Sequence, residues 1–177
     1  MKTLKKMMVA FLFLIALVTN AQNDQDKKIM TDAENAKETL LAKDLGLEKF
    51  FKNASGYAIF PNVGKGGLVV GGASGNGVVY ENGKTIGMTS LKKVSIGLQA
   101  GGQSLIEVIF FETNKALIKF KGSNYEFSAE VSAVIADKGK SENVNYEDGV
   151  VVFALPKAGL MVDASVGGQK FEYHAFK

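Results

Sequence analysis

"GKGGLVVGGASGNGVVYENGKT", Gly64 to Thr85, holds eight glycines in 22 residues and poses a choice between two kinds of structure. One is a phosphate-cradling loop, whose backbone N–H groups wrap an anion ahead of a helix. The other is sheet whose glycines serve bending and close packing. The phosphate-loop pattern needs a glycine five places before Gly83-Lys84, where the chain has Val78; Gly77 is one position off. Context weighs further against it. Lys84 follows Asn82-Gly83, a hairpin signal because both turn positions take positive φ, and it leads into β-rich sequence rather than a helix. The dinucleotide pattern fails too, because Val69 follows Gly64-Lys65-Gly66 where the third glycine is required. The stretch reads as sheet, with no nucleotide site.

Outward from it, short β-rich runs continue in both directions: "YAIFP" before, then "KTIGM", "KKVSIGLQAGGQ", "SLIEVIFFE", "YEFSAEVSAVIA", "VVVFALP" and "GLMVDASVGGQKFEYHAF". One helical turn is expected at "TNKALIKF" and a polar loop at "DKGKSENVNYEDG". Ahead of the strands, Thr31 with Glu34 three residues later is a capping box that predicts a helix start, and Gly46 its stop. A second helical piece, "LEKFFKNASG", follows. The connections are too short for repeated βαβ crossovers. The expected fold is α+β: N-terminal helices packed on a mainly antiparallel, strongly curved, glycine-rich sheet of barrel-like form. Pro61 and Pro156, the two prolines, each end an apolar run and precede a Gly-Leu-x-Val strand, which reads as two similarly built strands.

The chain opens with Lys2, Lys5 and Lys6 ahead of an apolar run from Met7 to Val18, with small residues near Ala21. That is the pattern of a secretory signal peptide over 1–21; the run is too short to span a bilayer, which takes about 20 residues. Residues 22–177 are one domain's worth of chain. Of 21 lysines, the three in the leader leave 18 against 18 acidic residues, so the exported chain is neutral and lacks the basic excess of a nucleic-acid binder. The chain has no arginine, which excludes bidentate guanidinium capture of carboxylate or phosphate. Without cysteine there is no disulfide, thiol-linked lipid or Cys-based metal site.

Three blocks, "ASGYAIFPNVGKGGLVVGGASGNGVV", "SIGLQAGGQS" and "ALPKAGLMVDASVGG", resemble in order the signature blocks of the SYLF domain family. The resemblance covers roughly residues 40–171. It rests on Pro61, Gly66, Gly67, Gly71 and Gly72, then Gly97 and Gly101, then Gly159 and Gly168. The family includes lipid-binding and actin-regulating proteins and small exported bacterial proteins, so the resemblance implies lipid or membrane-surface binding. The chain departs from the pattern at Gly167, where an acidic residue is common, and at Asp163, where a small apolar one is usual.

No catalytic constellation emerges from the residues. His174 stands alone near the end of the chain, without a thiol to activate. Glu107 and Asp163, in apolar strands, read as outward-facing. Glu142, Glu147 and Asp148 lack calcium-loop spacing. The expectation is a non-enzyme without metal or cofactor, a module of the cell envelope that binds lipid or an anionic membrane surface. Lys49, Phe50, Phe51, Lys52 and Lys65 are the candidate lipid-facing edge, because aromatic anchors flanked by lysines suit a membrane interface. Phe50 and Phe51 also suit a core position under the sheet. Other readings are an envelope module for protein partners and a small outer-membrane β-barrel, for which alternating strands and the aromatic end "FEYHAF" speak.

Overall fold

The computed structural model describes residues 24–68, 70–122, 125–127, 133–134 and 141–176, and at 95–100, 125–127, 133–134 and 158–168 the backbone alone. The segment expected to be a signal peptide, Met1 to Ala21, lies outside the described residues. Helix α1 is already helical at residue 24 and runs to 43, so Thr31 does not start it. The Thr31 hydroxyl instead donates to the carbonyl of Lys27, 3.1 Å away, inside the helix. Burial overrides the capping signal: Ala33, Ala36 and Leu40 form a stripe against the sheet, joined by the half-buried Ile29 before Thr31. Gly46 is not the stop either. Asp44 ends the helix and caps a 3-10 turn at Leu45–Leu47, its carboxylate accepting from the N–H of Gly46 at 2.9 Å and of Ser141 at 2.8 Å. Helix α2, Glu48–Asn53, follows directly.

The sheet comprises β1 (Gly56–Gly67), β2 (Val70–Glu81), β3 (Lys84–Phe111), β4 (Tyr125–Phe127), β5 (Ala133–Val134) and β6 (Val150–Ala175), with helix α3 (Asn114–Lys121) between β3 and β4. Its order is β1-β2-β3-β6-β4; every pairing is antiparallel except that of β5 with β6. Asn82 and Gly83 form the predicted hairpin turn, with φ of 52° and 74°. Three predicted runs fuse into the 28-residue β3, and two into the 26-residue β6. "GGLVVGGA", read as one strand, contains a second hairpin between Gly67 and Val70.

The register shows why glycine collects there. β6 pairs β3 along almost its whole length, while on the other edge β2 pairs its first half and β1 its second. Since β1 and β2 also pair with each other, β3 must double back between Ile96 and Gly101. At this bend Gly67 pairs with Gly71 and Gly101, and Gly66 with Gly72 and Gly102. A Cβ on Gly67 would meet the Gly71 backbone, and Gly101 takes φ of 113°, which side-chain-bearing residues rarely adopt. The curvature does not become a barrel. Among the described strands, β4 and β5 each pair only with β6 and leave the sheet open, so the barrel-like closure expected from the pattern is not formed.

Bending gives the sheet an inner and an outer face, and the end away from the bend buries both. Outside, Tyr57, Ile59, Val78, Val108, Phe110, Val151 and Phe153 pack under α1 and α2. Inside, Ala58, Phe60, Val79, Ile109, Phe111, Val152 and Phe171 meet Leu117 and Phe120 of α3. This double burial explains the unbroken apolar runs of β3 and β6. Phe60 of β1 and Phe171 of β6 approach to 5.9 Å between ring centroids across the inner hollow. Thr113 caps α3 by accepting from the Ala116 N–H at 3.2 Å. On the outer side Tyr57 and Tyr80 stack at 4.7 Å. Their hydroxyls bind α1: Lys37 donates to Tyr57 at 3.1 Å, and Tyr80 donates to Glu34 at 3.0 Å.

Candidate functional site

The residues chosen from sequence as a lipid-facing edge do not form one surface. Phe50 is 4% exposed and lies 5.0 to 5.6 Å, centroid to centroid, from Phe153, Phe110 and Tyr146. Phe51 is half-buried against Phe110 and Tyr57. The α2 lysines face outward: Lys49 donates to the Glu142 carbonyl at 2.9 Å, and Lys52 pairs with Glu48 at 2.7 Å. Lys65 lies on the inner face of β1, with the sheet between it and α2, since it continues the inward series of Val63. Sequence spacing grouped them; the bend separates them.

A different surface forms at the bend. Leu68 and Val70 flank the turn between β1 and β2, and they are 70% and 64% exposed. Val94, 66% exposed, pairs with Gly72 on one side and Gly168 on the other, so neither residue directly opposite it has a side chain to cover it. Register places Val70, Val94 and Lys92 on the outer face, where Lys92 pairs across the strands with Lys170. An ion pair of 3.8 Å with Glu172 partly balances Lys92. The outer face beyond α1, at Gly64, Gly72, Ser74 and Asn76, is exposed and nearly flat because its side chains are absent or short. Sequence reasoning missed Leu68 and Val70 because an apolar run between glycine pairs was read as strand interior, although those glycine pairs are also a turn signal.

Behind this end the inner face is polar. Gln103, Lys65, Ala73, Lys93 and Gln169 follow one another around the hollow by register. Glu107, expected to face outward, is instead 4% exposed on the inner face: strand alternation does turn it away from Ile106 and Val108, but both faces are covered. Burial raises its carboxyl to about 7, against the pull of the Lys93 and Lys65 ammoniums. One oxygen of Glu107, the Thr89 hydroxyl and the Gln169 carbonyl oxygen are buried without a hydrogen-bond partner among the described residues. His174 is exposed at a groove of about 310 Å³ beside the start of α1. Among the described residues no cluster of three or more histidines or carboxylates could hold a metal ion.

The geometry is that of an open, bent, mainly antiparallel sheet carrying helices on both faces at one end and, among the described residues, none at the other. No protein-family model matches the chain. It is 30% identical over 145 residues to beta cell expansion factor A of Aeromonas veronii, an alignment covering 81% of this chain and 55% of that protein. The chain thus spans about half the length of the curated relative it matches.

Proposed function

We propose that the chain is an exported, non-enzymatic module of the SYLF type that binds a lipid or anionic membrane surface of the cell envelope with the bent end of its sheet. The observation that carries this reading is the cluster of exposed Leu68, Val70 and Val94 beside Lys92 and Lys170, on a face otherwise smoothed by glycine. The same chemistry sought in α2, apolar anchors flanked by lysines, recurs here with its apolar residues exposed. Each lysine near an anionic surface is worth about 1 kcal/mol. Burying one leucine and two valines adds about 4 kcal/mol. Together these correspond to dissociation constants on the order of 10 to 100 μM. Insertion of the exposed side chains, rather than enclosure of an acyl chain, is the favoured mode, because the inner hollow is occupied by Phe60, Phe111, Phe120 and Phe171.

Flotation with vesicles of graded anionic content at low and high salt tests the proposal. The chain from Gln22 onward is expected to float increasingly with anionic lipid and less with salt. Combined Leu68→Ser, Val70→Ser and Val94→Ser should abolish flotation while leaving thermal stability unchanged. A folded wild type that stays at the bottom of every gradient overturns the reading and favours a protein partner for this face.

A further inference from the structure

A second groove, of about 740 Å³, lies on the outer side between α1 and the strands where the two prolines stand. From α1 it takes Asp32, Asn35, Ala36, Thr39 and Lys43, spaced as one helical stripe. Opposite stand Pro61 and Asn62 of β1, and Pro156 and Lys157 of β6, with Ile106 and Leu155 in the floor. Both prolines sit at irregularities of the ladder: pairing of β1 shifts register between Ile59 and Asn62, and the β3–β6 register shifts where Pro156 meets Leu105. Proline supplies no N–H to a ladder, so each strand bulges there and the groove opens over β3. Lys157 spans the two bulges, donating to Asn62 Oδ1 at 2.6 Å and to the Pro61 carbonyl at 3.4 Å. The similarity of the two proline strands thus has a structural counterpart: both line the same groove, opposite α1.

We infer that this groove binds a short extended peptide with free termini. The pocket lies within the 300 to 1,000 Å³ typical of small-ligand sites. Its polarity is directional. Asp32 stands toward one end of the stripe and Lys43 at the other, eleven residues apart, which at 1.5 Å per residue is roughly 16 Å. An extended peptide rises about 3.3 Å per residue, so one of about five residues reaches from a carboxylate that attracts its ammonium to a lysine that attracts its carboxylate. Along the way, Asn35 and Asn62 carry amides able to hydrogen-bond peptide groups; with Asn62 Oδ1 held by Lys157, its NH2 is the group that donates. The aliphatic floor of Ala36, Ile106 and Leu155 accepts small apolar side chains. Among the described residues no aromatic side chain lines the groove to stack on a sugar or base. This inference is independent of lipid binding, which the bent end of the sheet carries.

The test is NMR titration of the isotope-labelled chain with the pentapeptide Ala-Ala-Leu-Val-Ala, in free form and with both ends blocked by acetyl and amide groups. The free peptide should shift the Asn35 and Asn62 side-chain amides and the Ala36 and Ile106 methyls saturably. Lys43→Ala, at an exposed position, should weaken the free peptide about fivefold and leave the blocked one unaffected. Absence of saturable shifts at these groups up to about 10 mM peptide, or equal binding of free and blocked peptides, overturns the inference.

Discussion

The two ends of this sheet are built from the same strands by opposite means. Away from the bend, β1, β2, β3 and β6 carry aromatic and branched residues on both faces, and helices cover both. At the bend the same strands carry glycine, isolated exposed apolar residues and lysine, and the outer face is bare. One end holds the chain together through burial; the other keeps backbones close enough to turn and leaves Leu68, Val70 and Val94 exposed. Burial on both faces and exposure on one are therefore separable along a single strand.

The sharpest break of that comparison is a pair of truncations. Phe153→Ala should cost about 3 to 5 kcal/mol in urea unfolding, because Phe153 is fully buried among Phe50 and Phe110. Leu68→Ser, at the bend, should change stability by no more than about 0.5 kcal/mol. Equal costs at the two positions would show that the bent end is part of the core.

Glu107 lies between the two regimes and gives a pH signature. Its folded carboxyl is raised from 4.5 to about 7, so between these values the folded chain holds a proton that the unfolded chain releases. Stability must then fall as pH rises through that window, with a total loss of about 3 kcal/mol above it. Glu107→Gln should remove this slope, matching wild type near pH 4 and exceeding it at pH 8, as thermal unfolding across pH would show. A slope unchanged in the variant would assign it to other groups.

The smallest expected effect compares two glycines. A Cβ on Gly77 would come within 2.6 Å of the Ile59 carbonyl oxygen and 2.7 Å of the Phe60 ring, whereas one on Gly64 would meet nothing within 4 Å. Gly77→Ala should destabilise by about 1 to 3 kcal/mol and Gly64→Ala by at most about 0.5. Calorimetry on the two variants would separate glycine needed for close packing from glycine that only keeps the outer face smooth.

Local chemistry was readable wherever it depends on adjacent residues. The Asn82-Gly83 turn, a helical segment after Thr113 and the α+β class could be read from sequence, because turn φ, capping and alternation are short-range. The start of α1 was not readable, since a hydrophobic stripe reaching back to Ile29 outweighed a local cap. Phe50 and Phe51 suited a core position as well as a lipid-facing edge, and the packing of Phe110 and Phe153 against α2 decides for the core. The exposed Leu68 and Val70 were hidden because a turn flanked by glycines and a strand flanked by glycines look alike.

By itself, then, the sequence determined an α+β chain with a glycine-rich antiparallel sheet, a neutral charge balance after a leader-like start, and the absence of cysteine and arginine chemistry. The tertiary structure decided that the sheet bends without closing, that Glu107 is enclosed and Lys65 turned inward, and that the two prolines line one groove. The reason is physical: each of these outcomes depends on which strands lie side by side, and pairing between residues far apart in the chain is set by the burial of both faces at once rather than by any local pattern.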